Sequence, residues 1–276
     1  VEASLSGAAI KSADYLLFLF IFLLTPEVAE QLISIFHLLY SARDVKTIFS
    51  VVCVLIFINI TVAQTTTGSV VTSIIHSVYL QNKGGENPDR AISVYLPAGY
   101  ANSKHRYPVI YYLHGFMGTD SIATNMKSIL DMSIAKSKIG PYILVIADNN
   151  TLYSGSFYSN SSLTGNWSEF EAKELVAYMD KNFRTIATRD ARAIGGHSMG
   201  GYGALKIAML YPDVFSCVYA LSPDLLAFLK EFGPNRDSYK QLAAIKSKDA
   251  LDKTYYRRVI AACARSWSPN ANKPPF

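Results

Sequence analysis

Apolar residues fall along this chain in short unbroken runs, separated by stretches in which they recur every three or four positions. Pro108-Val109-Ile110-Tyr111-Tyr112-Leu113 and Tyr142-Ile143-Leu144-Val145-Ile146-Ala147 are continuous runs of strand length, the pattern of strands buried on both faces of a parallel sheet. Between them, Ser121 to Lys136 has helical spacing, which makes a β-α-β unit. Upstream, Thr66 to Leu80 and Ala91 to Leu96 have strand character, with Gly84-Gly85 and Asn87-Pro88 as turn signals between them, so they read as an antiparallel opening to the sheet.

Downstream, Ser168-Glu169-Phe170-Glu171 fits a capping box, in which the Ser oxygen accepts a free N–H of the first turn and the Glu reaches back. Behind it, Ala172, Leu175, Val176, Met179 and Phe183 keep one apolar face. A strand is expected at Ala191-Arg192-Ala193-Ile194, a helix from Met199 to Leu210, and a further strand around Phe215 to Leu221. Strands and helices alternating at this rhythm predict an α/β fold with a mostly parallel sheet and helices on both faces. The polar stretch Asn149 to Asn166 leaves the carboxyl end of a predicted parallel strand, where such sheets place their ligands, and is expected to line the substrate cleft. Within and just after it, Tyr153, Phe157, Tyr158 and Trp167 are available to pack an aromatic acid or the base of the loop itself. Asn149, Asn160 and Asn166 each begin an Asn-x-Ser/Thr triplet, which matters only in a eukaryotic secretory host.

The amino-terminal pattern is different. Arg43 and Lys46 precede an apolar run from Ile48 to Ile58, and Thr61-Val62-Ala63 follow; charged, apolar, then small is the order of a secretory signal peptide. The domain expectation is therefore an upstream apolar segment at 1–44, a signal peptide at 45–63 and one folded α/β domain at 64–276, with the mature protein secreted or periplasmic. Membrane contact is expected only through the upstream segment, if it is retained. Residue 1 is Val and the first Met is Met117, so a natural start is expected upstream.

With 276 residues, half of them apolar, the chain can bury one sizeable core. A formal charge of +5, with Lys and Arg scattered among Asp and Glu, gives no basic groove and argues against nucleic acid. Of three cysteines, Cys53 lies in the signal run, and Cys217 sits in an apolar strand where a thiol behaves as a small buried hydrophobe. A Cys217–Cys263 disulfide is left open. No Cys or His spacing suggests a metal.

The chemistry is carried by Gly196-His197-Ser198-Met199-Gly200. A Ser hydroxyl is a poor nucleophile until it is exposed, paired with a base and served by an oxyanion site. Gly-x-Ser-x-Gly between a strand and a helix places the Ser on a sharp, strained turn. In such an elbow one oxyanion donor is the backbone N–H of the next residue, here Met199, and the second comes from the loop after an earlier strand, here Phe116 in His114-Gly115-Phe116-Met117-Gly118. His114 is expected to shape that loop and not to transfer protons.

Three ordered segments now resemble the "putative esterase" family of α/β-hydrolases, which includes S-formylglutathione hydrolase, feruloyl esterases and the mycolyltransferase antigens. They are Tyr95-Leu96-Pro97-Ala98-Gly99-Tyr100, Tyr107 through Gly115, and Gly196 through Leu205. The resemblance spans roughly Val70 to Phe276 and implies hydrolysis of carboxylic esters or thioesters, or acyl transfer, through an acyl-enzyme on Ser198 and without a cofactor. The substrate would be a small-molecule or carbohydrate-linked acyl ester, of small acyl or feruloyl type; the oligomeric state is not legible. A non-catalytic binding protein of the same fold is the competing class, because the base is missing. The chain order in this fold is Ser, acid, His, yet the five histidines, His37, His76, His105, His114 and His197, all precede Ser198. The acid and the His are expected beyond residue 276. Asp224 is the best acid within the chain, though a helix N-cap ahead of Leu225 is the preferred reading for it.

Overall fold

The computed structural model describes residues 67–224, 226, 233, 235–245, 247–252, 255–270 and 272. The segments expected to be an upstream apolar stretch and a signal peptide lie outside them. Gln64–Phe276 forms one compact unit. No helix among the described residues is long and apolar enough to cross a membrane.

Strands β1 (Ser69–His76) and β2 (Asp89–Leu96) form the antiparallel opening. Then come β3 (Val109–Leu113), helix α1 (Ile122–Ala135) and β4 (Ile143–Ala147). A small hairpin, β5 (Asn160–Ser161) and β6 (Gly165–Asn166), folds within the 149–166 loop. It runs into a helix of three parts: α2 (Trp167–Glu169), a π-helical stretch (Phe170–Leu175) and α3 (Val176–Asn182). Strand β7 (Arg192–His197), helix α4 (Met199–Leu210) and strand β8 (Cys217–Leu221) follow, then α5 (Asp237–Ala243), α6 (Lys248–Asp252) and α7 (Tyr255–Trp267). The main sheet has the order β1-β2-β4-β3-β7-β8, with β4, β3, β7 and β8 mutually parallel.

Each predicted strand forms within a few residues of its expected bounds, because continuous apolar runs have only one way to bury both faces. Tyr95, Leu144 and Ile146 pack on one side of the sheet with Ala123 and Leu130 of α1. Val94, Tyr111, Leu113, Val145 and Ile194 pack on the other with α2–α4. Full burial of a side chain such as Phe170 or Ile143 contributes about 1.5–3 kcal/mol.

Two expectations need correction. The capping box does not form: the helix starts at Trp167, two residues earlier, the Ser168 hydroxyl donates to the Tyr158 carbonyl at 2.7 Å, and Glu171 is buried. Tertiary partners outcompete the local cap for both side chains. Cys217 is exposed, because among the described residues β8 is the outer strand of the sheet and Val218, Tyr219 and Leu221 beside it are exposed too; Cys217 and buried Cys263 are both free thiols.

Candidate active site

Strand β7 ends at His197 and α4 begins at Met199, so Ser198 takes the whole reversal between them, with φ 56° and ψ −119°. A positive φ on a non-glycine residue costs of order 1–3 kcal/mol and persists only where neighbours enforce it. Here they do. Ser198 N–H donates to the Leu221 carbonyl at 2.9 Å, and the Ser198 carbonyl accepts from Tyr202 N–H at 3.0 Å and Asp224 N–H at 3.2 Å. A methyl group on Gly200 would overlap the Leu113 carbonyl oxygen, and one on Gly196 would lie 2.5 Å from the Gly200 carbonyl carbon, so the elbow closes only with glycine at both places.

The turn after β3 lies against this elbow. A side chain on Gly115 would meet Ser198 Cβ at 3.7 Å. His114 is fully buried and both its ring nitrogens are engaged: Nε2 accepts from Asn149 N–H at 2.8 Å, which leaves the proton on Nδ1 to donate to the Gly115 carbonyl, also at 2.8 Å. Burial pushes its pKa down, so the imidazole stays neutral. His114 therefore braces the turn. Gly118 N–H closes the turn onto the same Gly115 carbonyl at 2.9 Å, and Met117, at φ 63°, gives its N–H to Ser154 at 2.9 Å. Phe116 N–H has no protein acceptor among the described residues. Met199 N–H, first in α4, has no intrahelical acceptor and sits where the helix dipole favours negative charge.

The 149–166 loop reaches the same place. A Cβ on Gly155 would lie 2.6 Å from both Met199 Sδ and Phe116 Cδ2, so the loop backbone presses on the two residues that flank the site. The aromatic residues in and just after it pack into its base. Tyr153, Phe157, Tyr158 and Trp167 are buried: Phe157 packs on Trp267 at 5.1 Å, the Tyr158 hydroxyl donates to the His114 carbonyl at 2.8 Å, and Arg265 lies over Tyr153 at 4.7 Å. Ser154, Phe157 and Tyr158 all carry positive φ, so this loop is held against its own backbone preference. The holding comes from α7. Arg265 pairs with Glu86 at 2.9 Å with both side chains buried, Ser266 Oγ donates to the Ser156 carbonyl, and Trp267 Nε1 donates to Ser159 Oγ.

Phe116 meets Tyr255 of α7 edge to face at 5.5 Å, and Tyr255 is about half exposed. The Asp224 carboxylate faces Tyr255 and Cys263 and, after burial, raises the pKa of each, that of Cys263 to about 12. The helix expected after Asp224 falls largely outside the described residues. Among the histidines, His76 pairs with Asp89 at 2.6 Å on β1, four strands from β7, or about 19 Å at ordinary strand spacing. His105 precedes β3, at the end of the sheet opposite Ser198. His197 is exposed beside the elbow, with no hydrogen bond to Ser198 among the described residues. His37 lies outside the described residues. No group of three or more His, Cys, Asp or Glu able to hold a metal occurs among the described residues.

Comparison with known proteins decides the family. The family model described as "Putative esterase" matches residues 86–259, well over half of the chain. The chain belongs to this family. An esterase of Mycobacterium tuberculosis is 40% identical over 138 residues, 48% of this chain and 28% of that protein. The S-formylglutathione hydrolase of Arabidopsis thaliana is 32% identical over 145 residues, 48% of this chain and 50% of that protein. The chain thus spans half or less of these relatives. A solved ferulic acid esterase superposes with a TM-score of 0.52 at 25% identity, over 68% of this chain and 75% of that one. The fold is that of the α/β-hydrolases.

Sequence reasoning missed Asn149 as the partner of His114, Glu171 as the partner of Asn149, Gly155 as the contact on Met199 and Phe116, and α7 as the clamp on the loop. A loop rich in Ser, Asn, Gly and Tyr carried no signal for any of these pairings, which span up to 179 residues.

Proposed function

We propose that this chain carries the nucleophile of a serine carboxylic-ester hydrolase, with Ser198 forming the acyl-enzyme and the N–H groups of Phe116 and Met199 receiving the oxyanion. The observation that carries this reading is Ser198 itself, held at φ 56° at the head of α4 with the Gly115-Phe116 turn against it. Ser198 Oγ attacks the ester carbonyl and passes its proton to a base outside the described residues. The carbonyl oxygen becomes an oxyanion between the two N–H groups, the C–O bond breaks, and the alcohol leaves with that proton. Water then enters by the same steps in reverse and releases the acid. Phe116 and Tyr255 offer an apolar aromatic surface beside the nucleophile, which supports a small or aromatic acyl group. The similarity to proteins named feruloyl esterase and S-formylglutathione hydrolase supports the same range.

A fluorophosphonate probe applied to the full-length protein tests the reading. The expected result is one label on the peptide containing Ser198, absent in Ser198→Ala; a folded protein that takes no label at Ser198 contradicts it. We also infer export from the charged, apolar and small-residue order of residues 45–63, which predicts a mature amino terminus at Gln64 by end-group sequencing.

A further inference from the structure

We propose that Glu171 is a positioning residue for this reaction: through Asn149 and His114 it fixes the Gly115-Phe116 turn that presents an oxyanion donor. The inference rests on the function proposed above. Glu171 lies in the π-helical stretch, is 1% exposed, and has no salt-bridge partner among the described residues. An aliphatic side chain would fill that position in the core without the cost of burying a carboxyl group. The carboxyl is instead built into a relay. Asn149 Nδ2 donates to Glu171 Oε1 at 2.5 Å and to the Ala147 carbonyl at 3.1 Å, and the second bond fixes which way the amide faces. Asn149 N–H then donates to His114 Nε2, and His114 Nδ1–H to the carbonyl of Gly115, the residue before Phe116. Asn149, His114 and Glu171 are all essentially inaccessible, so water cannot replace a lost partner cheaply.

Burial holds the carboxyl up, to a pKa of about 8, against the weaker opposing pull of the Asn149 hydrogen bond. Near neutrality the relay therefore starts from an uncharged acid. The titratable groups that face it are the Tyr158 and Tyr111 hydroxyls, whose ionisation a charge on Glu171 opposes. His114 is faced in turn by Asp148, Arg90 and Asp120. An ionised Glu171 would put a buried negative charge at the root of the relay, so turnover should fall as the pH rises through that value.

The test is the pH dependence of kcat and KM for p-nitrophenyl acetate in the full-length protein, compared with Glu171→Gln and Glu171→Leu, and with Ser198→Ala as the blank. Gln keeps a neutral acceptor for Asn149, so kcat should stay within about twofold of wild type at neutral pH while the alkaline limb near pH 8 disappears. Leu removes the acceptor and should lower kcat about tenfold with KM little changed, a smaller loss than deleting an oxyanion donor outright. Wild-type kcat in Glu171→Leu at every pH, or a change confined to KM, overturns the proposal. A readout independent of turnover is the 15N spectrum of His114, which should keep the Nδ1–H tautomer in Gln and lose it in Leu. An unchanged His114 in a folded Glu171→Leu overturns the positioning role by itself. Absence of any Ser198-dependent turnover in wild type overturns the proposed function instead, and leaves the His114 spectrum to decide the relay.

Discussion

On one side of Ser198, the β7–α4 elbow is fixed by backbone alone: three main-chain hydrogen bonds to Ser198 and two glycines with no room for a methyl group. On the other side, the 149–166 loop is fixed by side chains from far along the sequence, with Arg265, Ser266 and Trp267 of α7 and Glu86 of the β1–β2 connection gripping it. Both segments carry positive φ at non-glycine residues, so both store strain. The difference is what pays for it. The elbow is rigid because nothing larger fits, and should fail as a unit; the loop is rigid because specific bonds are made, and should loosen piece by piece.

The sharpest way to break this comparison is at the elbow. Gly200→Ala forces a methyl into the Leu113 carbonyl, and backbone cannot yield as a flexible side chain would. We expect a loss of about 3 kcal/mol or more in urea denaturation, at the upper end of overpacking effects. Next is the loop clamp. Arg265→Ala leaves Glu86 buried without its cation, which should cost about 3 kcal/mol and raise amide exchange across 149–166 more than in β7 and α4. Equal exchange in both segments would mean that the two are one cooperative unit after all.

Glu171→Gln comes third and is conditional on pH. The folded pKa of about 8 lies above the ordinary 4.5, so between those values the native protein holds a proton that the unfolded chain has lost. Stability of the wild type should therefore fall as pH rises through this window, by at most about 1.4 kcal/mol per pH unit, and level off above the folded value. The Gln variant lacks this slope, and parallel denaturation curves at acid and alkaline pH reveal it as a widening gap in its favour. The smallest effect is expected for His197→Ala. Its side chain is exposed beside the elbow, so stability should change by no more than about 0.5 kcal/mol, and a fluorophosphonate label at Ser198 should persist.

The same contrast explains what could be read from the sequence. The elbow was legible because its constraints are local: a sharp turn between a strand and a helix admits few residues, and Gly196, Ser198 and Gly200 declare it. The strands were legible for a similar reason, since Ile143 to Ala147 can satisfy both buried faces in only one way. The loop was not. Phe157 and Tyr158 could be read from the sequence either as substrate contacts or as packing for the loop's base; they are buried, and the pairings that hold the loop, Ser159 with Trp267 and Tyr153 with Arg265, join positions more than a hundred residues apart. Glu171 was misread for the opposite reason. A local rule, the capping box, was available to explain it, while its actual partner, Asn149, comes from the end of another strand. Cys217 looked buried because apolar neighbours in a strand usually mean an interior strand, and β8 is the outer one among the described residues.

The central claim is that Ser198 takes the acyl group. The most direct measurement is rapid acid quenching of the full-length protein during turnover of p-nitrophenyl acetate, followed by peptide mass mapping. The account predicts an acetyl group on the peptide bearing Ser198, lost in Ser198→Ala and diminished in Glu171→Leu. Acetylation that maps to another residue, or turnover that survives Ser198→Ala undiminished, would contradict it.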